Sequence, residues 1–369
     1  MFYAETHKGN RLSAADYENG KETLYCPGCK EAVFFKKGRQ KLAHFAHYAH
    51  SDCKQFSEGE TTLHLMGKQK LFSWLMKQGL VVEMEAWLPE LKQRPDLLVK
   101  TPDDRKIVFE YQCSPISTEE LQARTDGYQN NGYEVIWLGG IDYQIKTYLT
   151  EKQSRFMQYG GTFQLCFTFY DSEKDHFHYY YDFHYTSANR VECSEKTIPL
   201  WSVSLPIFLA FYHGTGKRKV EKVRRPTHEN PMPLAKRMSL VQRTDESHRL
   251  FLEKIYLSRQ SIHSLPTWLF THPFKIMLYQ TPNYIWNFYF LCWLREKEID
   301  ELIKKEDLIK YSQSQMTNKT LSIMTTLFIP EEILLSPMYS FLSELEKRGF
   351  VKQTHSGLWQ VCKKNEIFP

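Results

Sequence analysis

No stretch of this 369-residue chain is both long and apolar enough to cross a bilayer. The most apolar run, from Pro282 to Leu294, is interrupted by Asn283 and Asn287 and falls short of the roughly 20 residues that a spanning helix needs. The opening residues, Met1-Phe2-Tyr3-Ala4-Glu5-Thr6-His7-Lys8, hold neither the apolar run nor the small-residue cleavage site of a secretion signal. No internal repeat is visible. The cysteines do not form a disulfide framework either. Cys26, Cys29 and Cys53 crowd the beginning with histidines between them, while Cys113, Cys166, Cys193, Cys292 and Cys362 are scattered. Clustered cysteine and histidine in a chain of this length read as metal ligands. The expectation is a soluble, cytoplasmic protein without membrane insertion. Its 42% apolar content excludes global disorder, and its length implies two or three domains.

A strong overall charge is also lacking. The net +5 is local: between Gly214 and Arg243, nine Lys or Arg stand against Glu221 and Glu229, so the remainder is slightly acidic. That segment also holds Pro226, Pro231 and Pro233 and has no helical periodicity, which suits an interdomain linker. It reads either as a basic strap that binds phosphate without sequence preference or as a solvated connection.

What is present divides the rest of the chain. Cys26-Pro27-Gly28-Cys29 places two thiolates around a tight turn, and Glu31 to Lys37 reads as a strand turning at Gly38. The return strand delivers His44-Phe45-Ala46-His47, with Cys53 close behind. Zinc takes four S or N donors, arriving as two short pairs on either side of a hairpin. Cys26, Cys29, His47 and Cys53 satisfy this; His44 rivals His47, and His50 is a weaker rival. Four protein donors leave no open position, so the role is structural. A redox pair is disfavoured because the flanks read as strands rather than a helix.

Beyond Phe56 the pattern changes. Glu60 to Lys77 reads as a helix, Val81 to Trp87, Arg94 to Lys100 and Lys106 to Cys113 as strands, Thr118 to Asn130 as a helix ended by Asn131-Gly132, and Tyr133 to Leu138 as a buried strand. A helix near Ile145 to Tyr159 is expected next, then a hairpin of Thr162 to Tyr170 and His176 to Tyr185. After the linker the chain turns helical and aromatic. It closes with a helix over Pro337 to Lys347 and a small hairpin, a layout shared by winged-helix modules and by structural caps. The aromatics Trp268, Phe270, Tyr279, Tyr284 and Trp286 read as core. The division is a zinc-binding module over 1–56, a central domain over 57–213, a basic linker over 214–245, and a mainly helical domain over 246–369.

The central domain holds the acids. Arg94-Pro95-Asp96 opens one strand, and Glu110 and Gln112 share one face of the next. Two carboxylates and an amide suit a hard divalent ion such as Mg²⁺, which acidifies a bound water and offsets charge on a phosphate. Glu110 lies in the apolar run Ile107 to Cys113, where an unbound charge costs free energy. Glu60, His64 and Lys68, spaced i, i+4, i+8, form a polar stripe that can offer a third acid, a proton-transfer group and a phosphate contact, or simply face water.

These motifs together resemble the competence protein CoiA family of Gram-positive bacteria. The resemblance rests on Tyr25-Cys26-Pro27-Gly28-Cys29, His44-Phe45-Ala46-His47, Gly59-Glu60 with His64 and Gly67-Lys68, Gln93-Arg94-Pro95-Asp96, and Glu110-Tyr111-Gln112-Cys113-Ser114. Arg124, Tyr128 and Trp137-Leu138-Gly139 belong to the same pattern. It implies an α/β fold: a zinc-binding β-hairpin module, then a restriction-endonuclease-like PD-(D/E)XK core with a mixed sheet flanked by helices, then a mainly helical C-terminal region. It implies a Mg²⁺- or Mn²⁺-dependent deoxyribonuclease that acts on incoming DNA during natural transformation and promotes recombination. Single-stranded DNA and recombination proteins are the implied partners. The implied site is Glu60, Asp96, Glu110 and Gln112, with Asp96 and Glu110 on the metal and Gln112 where such nucleases carry lysine. His64, Lys68, Arg124 and Tyr128 are implied as DNA-binding or auxiliary groups. Because glutamine supplies no charge, the alternative is a non-catalytic accessory that binds DNA or a recombinase through a degenerate site.

Overall fold

The computed structural model describes residues 1–18, 20, 22–38, 43–48, 53, 61–146, 149–160, 164–185, 191–214, 232–270, 278–324, 326, 330–355 and 357–362. They form two compact units, one built essentially from residues 1–216 and the other from residues 217–369. Among the described residues no helix is long and apolar enough to cross a membrane.

The first unit begins with an antiparallel sheet of β1 (Tyr3–Glu5), β2 (Arg11–Ser13), β3 (Leu24–Tyr25), β4 (Ala32–Lys36) and β5 (His44–His47), ordered β2-β1-β3-β4-β5. Ala4, Leu24, Val33 and Phe45 pack around Cys26 and Cys53 in a small core. The hairpin of β4 and β5 is the one expected from sequence. The three-residue strands β1 and β2 are too short to show an alternation.

Helix α1 (Thr62–Met76) is capped by the Thr61 hydroxyl, which accepts from the His64 amide. It is followed by an antiparallel meander of β6 (Val81–Met84), β7 (Leu97–Lys100) and β8 (Lys106–Gln112). Helix α2 (Thr118–Asn130) starts at the Ser117 cap and ends before Gly132, whose φ of 78° is the left-handed conformation that stops a helix. It crosses to β9 (Tyr133–Gly139), parallel to β8. The order helix, three strands, helix, strand is thus the expected one. Ile107, Phe109 and Tyr111 of β8 join the apolar core with Leu71, Trp74 and Leu75 of α1. The alternate positions Glu110 and Gln112 face the side covered by α2.

The expected helix near Ile145 to Tyr159 is corrected. Among the described residues there, only α3 (Glu151–Ser154) is helical, and β10 (Gln158–Gly160) pairs with β11 (Gln164–Asp171), so a tertiary strand pairing overrides local propensity. β12 (His176–Tyr185) completes the expected hairpin with β11. Strand β13 (Val191–Pro199) was not legible, being a polar edge strand with little apolar alternation. The large sheet runs β13-β12-β11-β9-β8-β7-β6, with β10 on β11. Helix α4 (Leu205–Tyr212) closes the α1 side, where Phe208, Leu209 and Tyr212 enter the same core.

The second unit holds α5 (Leu234–Ser239), α6 (Glu246–Leu257), α7 (Asn283–Glu296), β14 (Leu302–Ile303), α8 (Lys305–Thr317), α9 (Glu331–Leu334), α10 (Ser336–Lys347), β15 (Val351–Gln353) and β16 (Trp359–Val361). Its strands pair in the order β14-β16-β15. Tyr284, Trp286, Phe288 and Phe290 of α7 are buried, so the aromatic run is core. Helix α5 lies inside the stretch read as linker, whose residues 215–231 are outside the described residues.

Helix α1 approaches β8 closely: a Cβ on Gly67 would lie 2.1 Å from the ring of Tyr111, itself buried. Gly67→Ala is therefore expected to destabilise the chain by about 1–3 kcal/mol. A denaturant melt checks this, and an unchanged midpoint would mean that the ring has room to retreat.

Candidate functional site

At the amino end, Cys26, Cys29, His47 and Cys53 bring their ligand atoms within 4.8 Å of one another. The Gly28 and Cys29 amides turn toward the Cys26 sulfur, and Lys30, in the left-handed region at φ 61°, closes the knuckle with its amide on the Cys26 carbonyl. Burial pushes the Cys26 thiol up to about 12, against the amide bonds that lower it, so ionising this sulfur near neutrality would take a cation. Burial also lowers the His47 pKa, which favours the neutral imidazole a metal takes. Strand parity decides between the rival histidines. On β5, His47 shares a face with the buried Phe45, whereas His44 and Ala46 take the other face. Three thiolates and an imidazole fit a tetrahedral structural metal with no open position. His50 is outside the described residues.

The acids lie where β7 meets β8. Leu97 pairs with Phe109, so Asp96 and Glu110 are neighbours one step further along. Asp96 accepts from the Tyr111 amide at 2.8 Å and lies 3.3 Å from His64 Nε2 and 3.4 Å from Lys68 Nζ. Burial acts to raise its pKa, but the charges of His64 and Lys68, with the bonds from His64 and Tyr111, outweigh burial and hold the carboxyl well below the usual carboxylate range. Glu110 engages the opposite helix. Its Oε1 accepts from Arg124 Nη2 at 2.5 Å and from the Tyr128 hydroxyl at 2.6 Å. Here burial prevails, with the Asp96 charge adding to it, and the carboxyl is raised despite Arg124 and Tyr128.

Gln112, two residues along the same face as Glu110, donates from Nε2 to the Ser114 carbonyl and hydroxyl, both at 3.0 Å. A carbonyl only accepts, so the amide nitrogen is the atom that faces Ser114.

The stripe on α1 is placed differently from its expected position opposite the apolar face. Lys68 is sealed, with no side-chain exposure, and meets Glu85 Oε1 at 2.6 Å. A lysine buried in this way cannot serve as the surface phosphate contact expected of it. His64 is partly exposed beside Asp96, and Glu60 is outside the described residues. Arg124 keeps 27% side-chain exposure. Tyr128 is fully buried with its hydroxyl on Glu110, so of its two expected roles the geometry favours the auxiliary one over direct DNA contact.

Glu85 was missed. It is 2% exposed, accepts from the Phe2 amide at 2.8 Å and from Arg94 at 3.2 Å, and has a φ of 54°. Its only sequence signal is an acid between Met84 and Ala86 at a strand end. Hard oxygen donors suit a divalent cation. The bonds from Arg124 and Tyr128 both fall on Glu110 Oε1, so Oε2 takes neither. The donor set therefore fits such an ion, with the basic partners of the two acids as its competitors.

Two measurements probe these sites. One zinc per chain is expected by elemental analysis; stripping it should release the fold of the first sheet and lower the melting temperature, and zinc return should displace protons. A metal-free chain that melts like the metal-loaded one would remove the structural role. For Asp96, the folded pKa lies below the unfolded value, so its stabilisation is complete above that unfolded value and is lost as pH falls through the folded one. Asp96→Asn should cost about 3 kcal/mol at neutral pH. The gap to wild type should begin to narrow only below about pH 4. A gap independent of pH would mean that the ion pairs do not hold this carboxylate.

The comparisons with known proteins cover the chain in three parts. The competence protein CoiA N-terminal domain matches residues 7–56, its nuclease-like domain residues 60–211, and its C-terminal domain residues 237–368. Competence protein CoiA of Bacillus subtilis (strain 168) is 24% identical over 355 residues, which span 91% of this chain and 89% of that protein. No solved structure matches. With the Cys/His cluster, the mixed sheet and its paired acids in place, the chain belongs to the competence protein CoiA family.

Proposed function

We propose that this chain is a metal-dependent deoxyribonuclease that processes incoming DNA in the cytoplasm during natural transformation and promotes its recombination. The observation that carries this reading is the adjacency of Asp96 and Glu110 at the end of the β7–β8 pair of a nuclease-like domain. On this reading Asp96 and Glu110 hold one Mg²⁺ or Mn²⁺, with Glu60 as the third acid from α1. When bound, that ion acidifies a water and offsets charge on the scissile phosphate. The chain's own residues do the positioning. His64, partly exposed beside Asp96, is the proton-transfer group. The Gln112 amide, anchored on Ser114, orients a water. Arg124 meets the phosphate of single-stranded DNA, and the Cys26, Cys29, His47 and Cys53 cluster holds zinc for structure. The proposed division remains 1–56, 57–213, 214–245 and 246–369.

The second reading is a non-catalytic DNA- or recombinase-binding accessory. It is favoured by the basic partner that each described acid already has, and by glutamine at position 112. A duplex-reading regulator is less well supported. On α10, the helix that precedes the terminal hairpin, Glu344 pairs with Lys347 and Arg348, so that surface is not a basic face.

Incubation of purified protein with single- and double-stranded DNA, with Mg²⁺, Mn²⁺ or EDTA, tests the choice. Metal-dependent cutting that falls at least ~100-fold in both Asp96→Ala and Glu110→Ala is expected. Wild-type binding without cutting under any metal would move the assignment to the accessory.

A further inference from the structure

Arg124 and a metal ion would compete for one carboxylate. Its guanidinium lies 2.5 Å from Glu110 Oε1, and Glu110 is 3% exposed, so the pair largely neutralises itself inside the sheet. A divalent cation placed beside a fixed guanidinium is repelled by it. Three features make this arginine removable. Its side chain is 27% exposed, against 0% for Lys68 and 12% for Arg94, so of these three cations it has the best access to solvent. It projects from α2 with its guanidinium over the Trp137 ring, 5.4 Å from the centroid, an aromatic support that does not depend on Glu110. The Tyr128 hydroxyl remains on Oε1 when the arginine leaves, so Glu110 is not orphaned.

We propose that Arg124 is an exchangeable counter-ion of the Asp96–Glu110 site: it holds Glu110 in the free protein and passes to a DNA phosphodiester oxygen on binding, so that metal occupancy depends on DNA. Guanidinium matches the fork geometry of phosphate as well as that of carboxylate, which makes the exchange nearly balanced in hydrogen bonds. What changes is charge. Glu110 loses the guanidinium that offsets it, so the Asp96–Glu110 pair carries more net negative charge at the moment a phosphate arrives, and carboxylates and phosphate together favour a divalent ion. The coupling is reciprocal: DNA tightens metal binding, and metal tightens DNA binding. The inference rests on the site residues of the nuclease reading, but it concerns binding and not cleavage.

The test measures Mn²⁺ binding to the zinc-loaded full chain by the loss of free-ion electron paramagnetic resonance signal. Wild type, Arg124→Gln and Glu110→Gln are compared, each with and without a phosphorothioate single-stranded oligonucleotide that resists hydrolysis. Glutamine keeps a hydrogen-bond donor for Glu110 and removes the charge. Without DNA, Arg124→Gln is expected to bind Mn²⁺ at least about tenfold more tightly than wild type, the scale of one neighbouring charge. The oligonucleotide should strengthen binding to wild type by a similar factor and to Arg124→Gln much less, while Glu110→Gln loses the site in both conditions. Equal or weaker binding by Arg124→Gln overturns the proposal. So does wild-type affinity that ignores DNA, a measurement that needs no variant to fold. Cleavage by wild type with no gain in Arg124→Gln overturns the exchange and leaves the nuclease standing. A gain in Arg124→Gln with no cleavage by wild type upholds the exchange and removes the nuclease.

Discussion

Lys68 and Glu85 meet 2.6 Å apart with essentially no solvent around either, and the first unit is organised about that pair. Burying two charges is favourable only when geometry is good and the remaining donors and acceptors are occupied. Both conditions draw in neighbouring elements. Glu85 also takes the Phe2 amide and Arg94, while Lys68 reaches Asp96 at 3.4 Å. One ion pair thus joins α1, the end of β6, the N-terminal segment and a site acid. Glu85 is turned into this position by a left-handed φ. Its amide donates to the Asp96 carbonyl and its own carbonyl accepts from Arg11, which hold the conformation in place.

The dependence runs further through the N-terminal sheet. Phe2 packs in the core beneath α1, and the Phe45 amide donates to the Met1 carbonyl. Phe45 lies on β5, two residues from His47 of the Cys/His cluster. The cluster and the acids are therefore linked by backbone hydrogen bonds and one buried ion pair. The two metal-suited sites differ in chemistry all the same. Cys26, Cys29, His47 and Cys53 present three sulfurs and an imidazole. Asp96 and Glu110 present hard oxygen donors already answered by His64, Lys68 and Arg124.

Much of this was legible in the sequence, for reasons that particular elements make clear. α1 and α2 are long and bury one face, so their periodicity survives in composition, while β8 and β9 are buried on both faces and read as continuous apolar runs. Glu110 could be singled out because an acid in an apolar strand demands a partner. The choice of His47 over His44 needed strand parity relative to Phe45, which requires knowing where the sheet's core lies. β1, β2 and β10 were illegible because three residues cannot display a period, and β13 because an edge strand is polar on both faces. Glu85 was hidden for a different reason. Its role depends on a backbone turn and on residues 17 and 83 positions away, and no local pattern encodes either.

The arrangement also bears on the glutamine at position 112. A lysine there would share the face of β8 with Glu110, two residues away and fixed to the same strand, so its charge would be permanent. In this chain the amide is fastened to Ser114, and the cation beside Glu110 comes from α2 instead. A charge on a helix-borne arginine is held by side-chain torsions and not by strand register, so it can be exchanged without moving the sheet. Lys68 could not take that part: with Glu85 as partner and no exposure, moving it would leave a buried carboxylate uncompensated. Permanent charge is thus assigned to the α1 side, where it holds the fold together, and exchangeable charge to the α2 side, where Arg124 reaches solvent. On the nuclease reading, the missing lysine is a relocation of positive charge from the strand to the helix that borders it.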